Sequence, residues 1–278
     1  MLEPFQFEFF RNGTIAAGLT GALCGSIGVY IVLRGMSYIG HGLSHAIFGG
    51  AVVSYVMAWN FYVGAGLWGF AAALLINQTV RRTRINADAA IGVITTASFA
   101  AGVALISRYR HFTRSFDAAL FGNILGVTSQ DVLVVAGVNA LVGAIIFFLF
   151  KQLLFTTFDA DVARVYGVKT EWVDTLFALA LAAALIASMQ ILGVTLIAAA
   201  LVVPAITARL LTDSFNRMIL ISAAIGALTG LFGMYLSFYI DVASGATIVL
   251  LQAALFSLVL AYTSLSRRAA RRLIHTHL

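Results

Sequence analysis

Two histidines stand four residues apart in the stretch GHGLSHAIFGG, residues 40–50. Positions i and i+4 share one face of an α-helix, so His41 and His45 are predicted to point the same way. Neutral imidazole nitrogen is a ligand for zinc, and also for copper, iron and nickel. The pair, flanked by glycine, serine and alanine, therefore predicts a place that briefly holds one divalent cation. The alternative is a pair hydrogen-bonded between helices without a ligand.

The composition places these histidines inside a membrane. The chain has 278 residues, of which 61% are hydrophobic and 10% are charged, whereas soluble domains carry about 25% charged residues. Two prolines and the lack of alternating strands favour helices over a β-barrel. We predict an all-α, polytopic transmembrane bundle. The net charge of +6 is explained by arginines at span ends, so no nucleic-acid partner is expected.

About 20 apolar residues cross the hydrocarbon layer, and on that scale the sequence gives nine candidate spans, with eight nearly as well supported. They form a single transmembrane domain, residues 1–278. The basic loops predict an external N-terminus and also leave residues 108–116 outside. The candidate spans are 13–33, 38–59, 62–80, 87–107, 132–150, 173–191, 193–211, 218–239 and 245–265.

Small residues recur along two of these spans and predict close helix contacts. The first span carries Gly18, Gly21, Gly25 and Gly28, and the eighth carries Gly226, Gly230 and Gly233. The single cysteine, Cys24, excludes an internal disulfide and is expected to be buried and inert.

A charged segment, residues 156–172, interrupts the apolar sequence. Asp159 or Asp161 can cap a short helix there, and Gly167 is a plausible stop. Its apolar residues Val162, Val165 and Tyr166 then share a face. Either the helix lies at the lipid interface, or it is a coupling helix that fits a groove on a partner. We call residues 156–172 the coupling segment.

Four stretches together resemble the permease subunits of ABC importers for divalent metals. An acidic residue followed by Ala-x-x-x-Gly-Val in the coupling segment is similar to the family's coupling region. The stretch VLRGMSYIGHGLSHAIFGG is similar to its Arg, Met-Ser, Gly-Asp and His pattern. The span ending in Pro-Ala-x-x-Ala-Arg, residues 191–211, and the Asp-x-x-x-Gly lead at Asp241 also match in order.

The resemblance implies a permease of a prokaryotic inner membrane that works as a homodimer, which is the preferred interpretation, or as a pseudodimer with a related partner. Two cytoplasmic ATPase subunits would power it, and an extracytoplasmic metal-binding protein would feed it. No cofactor would be permanently bound, since the metal is cargo and ATP binds the partner. His41 and His45 would line the metal path, with Asp241 as a further oxygen donor. The residues implied to transmit ATPase movement are Asp161, Ala163, Val165 and Gly167.

One departure bears on the metal, because the family commonly has Asp where this chain has His41. Imidazole is softer than carboxylate, which favours zinc slightly, with manganese next and iron possible. Two further roles are expected at other positions. Arg108, Arg110 and Arg114 would contact acidic residues of the binding protein, and Pro204 would kink a span, either as a fixed bend or as a hinge.

Two other functions are alternatives to an importer permease. A secondary transporter usually carries carboxylates within its spans, whereas the aspartates here fall near span ends. An HExxH metalloprotease needs a glutamate where this chain has Gly42. The sequence also lacks the GxxxxGK[ST] phosphate loop, so the chain is not expected to be an enzyme and ATP hydrolysis falls to another subunit.

Overall fold

The structure, a computed structural model, describes residues 3–83, 85–109, 122 and 124–275. Within these ranges the regular elements are helices, including short 3-10 turns at Glu3–Gln6 and Ile124–Gly126. The all-α prediction is confirmed. The helices are α1 (Glu8–Leu33), α2 (Ser37–Val56), α3 (Phe61–Arg82), α4 (Ala87–Arg108), α5 (Ser129–Phe148), α6 (Phe150–Phe158), α7 (Ala160–Val165), α8 (Thr170–Leu211), α9 (Phe215–Ile240) and α10 (Ser244–His275).

Side-chain caps set where several helices begin. The Asn60 side chain accepts from the Tyr62 amide at the start of α3, and Asn86 accepts from Ala89 at the start of α4. Thr128 and Asp131 form a reciprocal capping box at α5. Each cap satisfies amides that the first helical turn leaves unpaired, so the local sequence fixes these boundaries.

The predicted span count is slightly too high. In the described part of the chain, seven helices are long and apolar enough to cross a bilayer, namely α1, α3, α4, α5, α8, α9 and α10. Two features account for the difference. The sixth and seventh predicted spans are two helical arms that meet at Gly193 within α8, and this 42-residue element counts as one of the seven. The second predicted span is α2, which is 20 residues long, contains two histidines, three serines and four glycines, and is not among the seven.

Both ends of α8 lie on the same side of the bundle. Its first turns meet the end of α1 through an ion pair between Asp174 and Arg34, and its last turns pack near Val29 through Ala205 and Ala208. A straight helix cannot do both. The backbone changes direction at Gly193, where φ is 76° and ψ is 163°, a conformation that glycine adopts at little cost.

Helix α1 is the centre of the packing, and its glycines allow close backbone contact. A Cβ at Gly21 would lie 2.0 Å from the Gly226 carbonyl oxygen, and one at Gly25 would lie 2.4 Å from that of Ser222. The packing prediction for both glycine series is confirmed at these crossings between α1 and α9. Cys24 lies in the same helix with no exposed surface, its Sγ 3.8 Å from Ser188 Oγ in α8.

One end of the bundle collects the basic residues. The end of α1, the end of α3, both ends of α8 and the start of α9 meet there, with α6 and α7. We call this the basic end; its described basic residues include Arg34, Arg81, Arg82, Arg209 and Arg217. Basic residues favour the cytoplasmic side, so the basic end is the expected cytoplasmic end and residue 8 starts α1 on the opposite side.

Candidate metal-transport site

The two histidines meet on one face of α2. His41 Nε2 and His45 Nε2 are 3.2 Å apart, and their rings lie at 90° with centroids 4.5 Å apart. Without a cation, one nitrogen donates an N–H and the other accepts. The spacing of four residues thus produces the contact that was expected from it.

This separation also suits chelation of one ion. Two nitrogen ligands about 2.0–2.1 Å from a tetrahedral metal are about 3.3 Å apart. The observed 3.2 Å is close to this separation, so the two nitrogens are already spaced for one cation, although both rings must turn to direct their lone pairs at it. Among the described residues, no cluster of three or more His, Cys, Asp or Glu side chains could hold a metal. A cation at this pair would therefore take two ligands from the described part of one chain.

Aromatic rings border the pair on both sides. The Tyr38 ring lies 5.7 Å from the His41 ring, and the Phe99 ring of α4 lies 5.0 Å from the His45 ring. Both histidines are half-buried, and Tyr38 is 51% exposed. His45 Nδ1 is buried and has no hydrogen-bond partner among the described residues, so no acceptor fixes which nitrogen of that ring carries the proton.

Small residues hold α2 close to its neighbours. A Cβ at Gly42 would lie 2.4 Å from Ile91 Cγ2 in α4. The Ser44 hydroxyl lies 2.8 Å from the His41 carbonyl oxygen and 3.2 Å from that of Val194, the residue after the break in α8. Packing and this hydroxyl therefore fix the rotation of α2 and the direction of its histidines.

The other predicted path and docking residues do not join the pair. Asp241 is exposed at the left-handed C-terminal cap of α9, on the side opposite to the basic end. Arg108 is the exposed last residue of α4, with its guanidinium 5.9 Å from the Tyr109 ring. Arg110 and Arg114 lie outside the described residues. Pro204 lies within α8 while the departure from helical geometry is at Gly193, so its hinge role stays a prediction.

The coupling segment forms a short helix at the basic end. Asp159 caps α7 by accepting from the Asp161 and Val162 amides at 3.1 and 2.9 Å, which decides between the two predicted caps. Gly167, with φ of 83°, ends it as its amide donates to the Arg164 carbonyl. Ala163 is buried against the bundle, whereas Val165 and Tyr166 are 85% and 76% exposed. An apolar face is thus presented outside the bundle.

Arg34 was expected only as a flank of the first span, and the structure gives it a larger role. Its side chain is 10% exposed. The three donor groups reach Asp174 Oδ1 at 2.8 Å, Thr156 Oγ1 at 2.9 Å and Thr157 Oγ1 at 3.1 Å. The guanidinium also lies 4.6 Å from the Phe177 ring centroid. The only features of the sequence that could have indicated this network are a threonine pair and an aspartate at the edges of later spans.

Comparison with known proteins decides the family. Residues 6–263 match the model of the family described as "ABC 3 transport family". The chain belongs to the ABC 3 transport family. The resemblance to metal-importer permeases is thereby confirmed, and this member of the ABC 3 family is a multi-pass protein of the plasma membrane.

Relatives within the ABC 3 family match over nearly their whole length. The "Manganese transport system membrane protein MntC" of Halalkalibacterium halodurans is 36% identical over 256 residues, covering 92% of this chain and 88% of that protein. The "Probable iron transport system membrane protein" of Haemophilus influenzae is 34% identical over 271 residues, covering 96% and 98%. Both names describe membrane proteins of transport systems.

A solved structure shares the fold. The structure described as "PsaBC from Streptococcus pneumoniae in complex with Fab" superposes with a TM-score of 0.83 at 34% identity, covering 93% of this chain and 92% of that chain. The helical arrangement around α1, including the unusual α8, is therefore interpreted as the fold of an ABC 3 permease.

Proposed function

We propose that this chain is the pore-forming permease of an ATP-driven importer and that its cargo is a divalent first-row transition metal ion. The observation that carries the proposal is the 3.2 Å contact between His41 Nε2 and His45 Nε2. Each nitrogen is one ligand for the ion, and the exposed side of the pair leaves room for ligands from elsewhere.

The mechanism follows from how few ligands one chain provides. A two-ligand site binds an ion weakly, and a transport path needs an ion that leaves as readily as it enters. Tyr38 and Phe99 border the pair on its two sides and limit access along α2. A second copy of the chain would bring another histidine pair and complete a transient shell. No covalent chemistry is required of this chain.

The identity of the metal is the more specific part of the proposal. Manganese and iron appear in the printed names of the relatives, which supports those cargoes. The prediction of zinc rests on the two soft imidazole donors and on His41 replacing the family's aspartate. Membership in an ABC family supports ATP as the energy source over an ion gradient.

The partners follow from the same proposal. Two cytoplasmic ATPase subunits would dock at the basic end, against the exposed side chains of Val165 and Tyr166. Asp161 and Gly167 would set the shape of that contact, with Ala163 anchoring it. A metal-binding protein would deliver the ion at the opposite end, where Arg108 is exposed.

The test is uptake of several elements at once. Cells that express the chain with its ATPase and binding protein are compared with cells lacking the chain, by elemental mass spectrometry for manganese, iron and zinc. His41→Ala and His45→Ala are each expected to reduce uptake to the background of cells without the chain. Ser37→Ala, exposed at the start of the same helix, is the matched control. Full uptake in a His41→Ala/His45→Ala double variant would overturn the site assignment.

A further inference from the structure

Arg34 occupies the junction between three parts of the molecule. It directly follows α1, and its guanidinium is bonded to two threonines of α6 and to one aspartate of α8. Five N–H donors in a rigid plane allow arginine to serve several acceptors at once. No other side chain in the described residues is recorded with hydrogen bonds to both α6 and α8.

The threonine side of this junction belongs to the coupling segment. Thr156 and Thr157 are buried in the last turn of α6. Asp159, two residues after Thr157, is both the C-terminal cap of α6 and the N-terminal cap of α7. Between the Arg34 contacts and the cap there is no loop to absorb movement. A displacement of α7 is therefore passed to the guanidinium.

The other side of the junction leads to the histidines. Only Gly35 and Met36 separate Arg34 from Ser37, the first residue of α2. Gly35 has φ of +67°, and the Gly35 and Met36 amides donate to the Val32 and Ile31 carbonyls, so this tight turn is hydrogen-bonded to the last turn of α1 and connects α1 directly to α2. His41 lies one helical turn into α2, close enough to follow a movement of Arg34.

A cavity borders the first two turns of α2. It has a volume of about 310 Å³ and lies among α2, α3, α6 and α8 at the basic end. Arg34, Thr156, Thr157 and Asp174 form its polar wall, and Ile39 and Leu43 of α2 line it. At 100° per residue, Ile39 and Leu43 lie on the side of α2 opposite to His41 and His45. Ile39 and Leu43 also belong to the packed core, so the face of α2 opposite the histidines borders both packed side chains and this space.

We infer that Arg34 is the positioning residue that transmits movement of the coupling segment to His41 and His45, by binding Thr156, Thr157 and Asp174 together at the turn that leads into α2. Arg34 does not touch the metal; it acts on the direction of the helix that does. The inference rests on the proposed function and adds the route by which ATPase movement reaches the metal site.

The test measures metal transported per ATP hydrolysed. The chain is purified with its ATPase subunits, reconstituted in liposomes with its binding protein, and supplied with manganese, iron or zinc, whichever it imports. Arg34→Lys keeps the positive charge but loses the planar set of N–H donors. Thr156→Val/Thr157→Val removes the hydroxyl acceptors while the side-chain shape stays nearly the same. Both variants are expected to keep ATP hydrolysis while metal transported per ATP falls about fivefold or more.

Arg81→Lys is the matched control. Arg81 is also at the basic end and also pairs with the start of α8, through Glu171, but its recorded ion pair does not involve α6. The amount of metal that Arg81→Lys transports per ATP is expected to equal that of the unmodified protein. The inference is overturned if Arg34→Lys and the threonine variant keep the normal ratio of metal transported per ATP, or if Arg81→Lys lowers that ratio equally. It is also overturned if the Arg34 and threonine variants both lose their ATPase subunits, because that would show a role in assembly only. Absence of uptake by the unmodified complex would instead overturn the proposed function.

Discussion

His41 carries the chemistry that distinguishes this chain from the pattern it resembles. Its imidazole replaces the carboxylate common in the family, and its Nε2 is already 3.2 Å from that of His45. A carboxylate adds a hard oxygen ligand and a negative charge, both of which suit manganese better than zinc. Residue 41 is therefore the position at which metal preference is most directly adjustable.

His41→Asp is expected to shift uptake toward manganese and away from zinc while transport persists. A change in relative preference of about tenfold corresponds to about 1.4 kcal/mol, a modest difference for exchanging one ligand. Competition between the two metals for uptake by the same cells measures the shift. His41→Asn, which supplies oxygen without charge, separates ligand type from charge. An unchanged ratio in His41→Asp would show that residue 41 does not contact the ion.

At the scale of elements, the contact between α1 and α9 holds the centre of the bundle. Lipid tails are as apolar as the helices, so association depends on close packing of small residues. Gly21 and Gly226 face each other so closely that a Cβ on either would lie 2.0 Å from the other's carbonyl oxygen. No side chain can rearrange to relieve that contact, because both atoms involved are fixed by the backbone.

Gly226→Ala is thus expected to destabilise the protein by about 1–3 kcal/mol, the usual cost of overpacking. Thermal unfolding of the purified protein in detergent reports the loss. Gly137→Ala in α5, where a Cβ would meet nothing within 4 Å, is the control and is expected to be neutral or slightly stabilising. Equal melting temperatures for the two variants would mean that α1 and α9 separate without cost.

For the whole molecule, the proposed metal site would be incomplete in one chain, so we expect the chain to work as part of an assembly. One chain offers two nitrogen ligands on a half-open face, whereas zinc in proteins is held by about four ligands. Two copies related by a twofold axis present identical faces to each other, and paired His41–His45 faces would supply four nitrogens to one ion.

Native mass spectrometry of the purified transporter is accordingly expected to show two copies of this chain with two ATPase subunits. His45→Ala leaves the helix-packing glycines in place, so the same stoichiometry is expected for that variant even though its uptake is lost. A complex with a single copy of this chain, or with one copy beside a different permease, would contradict the homodimer.

Much of this architecture can be predicted from the sequence, because a membrane restricts the length and composition of the helices that cross it. Apolar length located the helices, and the i, i+4 spacing brought the imidazoles together. The break in α8 at Gly193 falls at the boundary predicted between the sixth and seventh spans. The Arg34 network could not be predicted in the same way, because the partners of Arg34 are more than 120 residues away in the sequence and only the fold brings them near.

The position of Cys24 has a practical consequence for anyone who works with this protein. The chain's one sulfhydryl is enclosed between α1 and α8 with none of its surface open to reagents. Maleimide dyes and spin probes added to the unaltered protein should therefore find nothing to modify. A cysteine introduced at an exposed position can be tagged singly in the native background, without first engineering the interior.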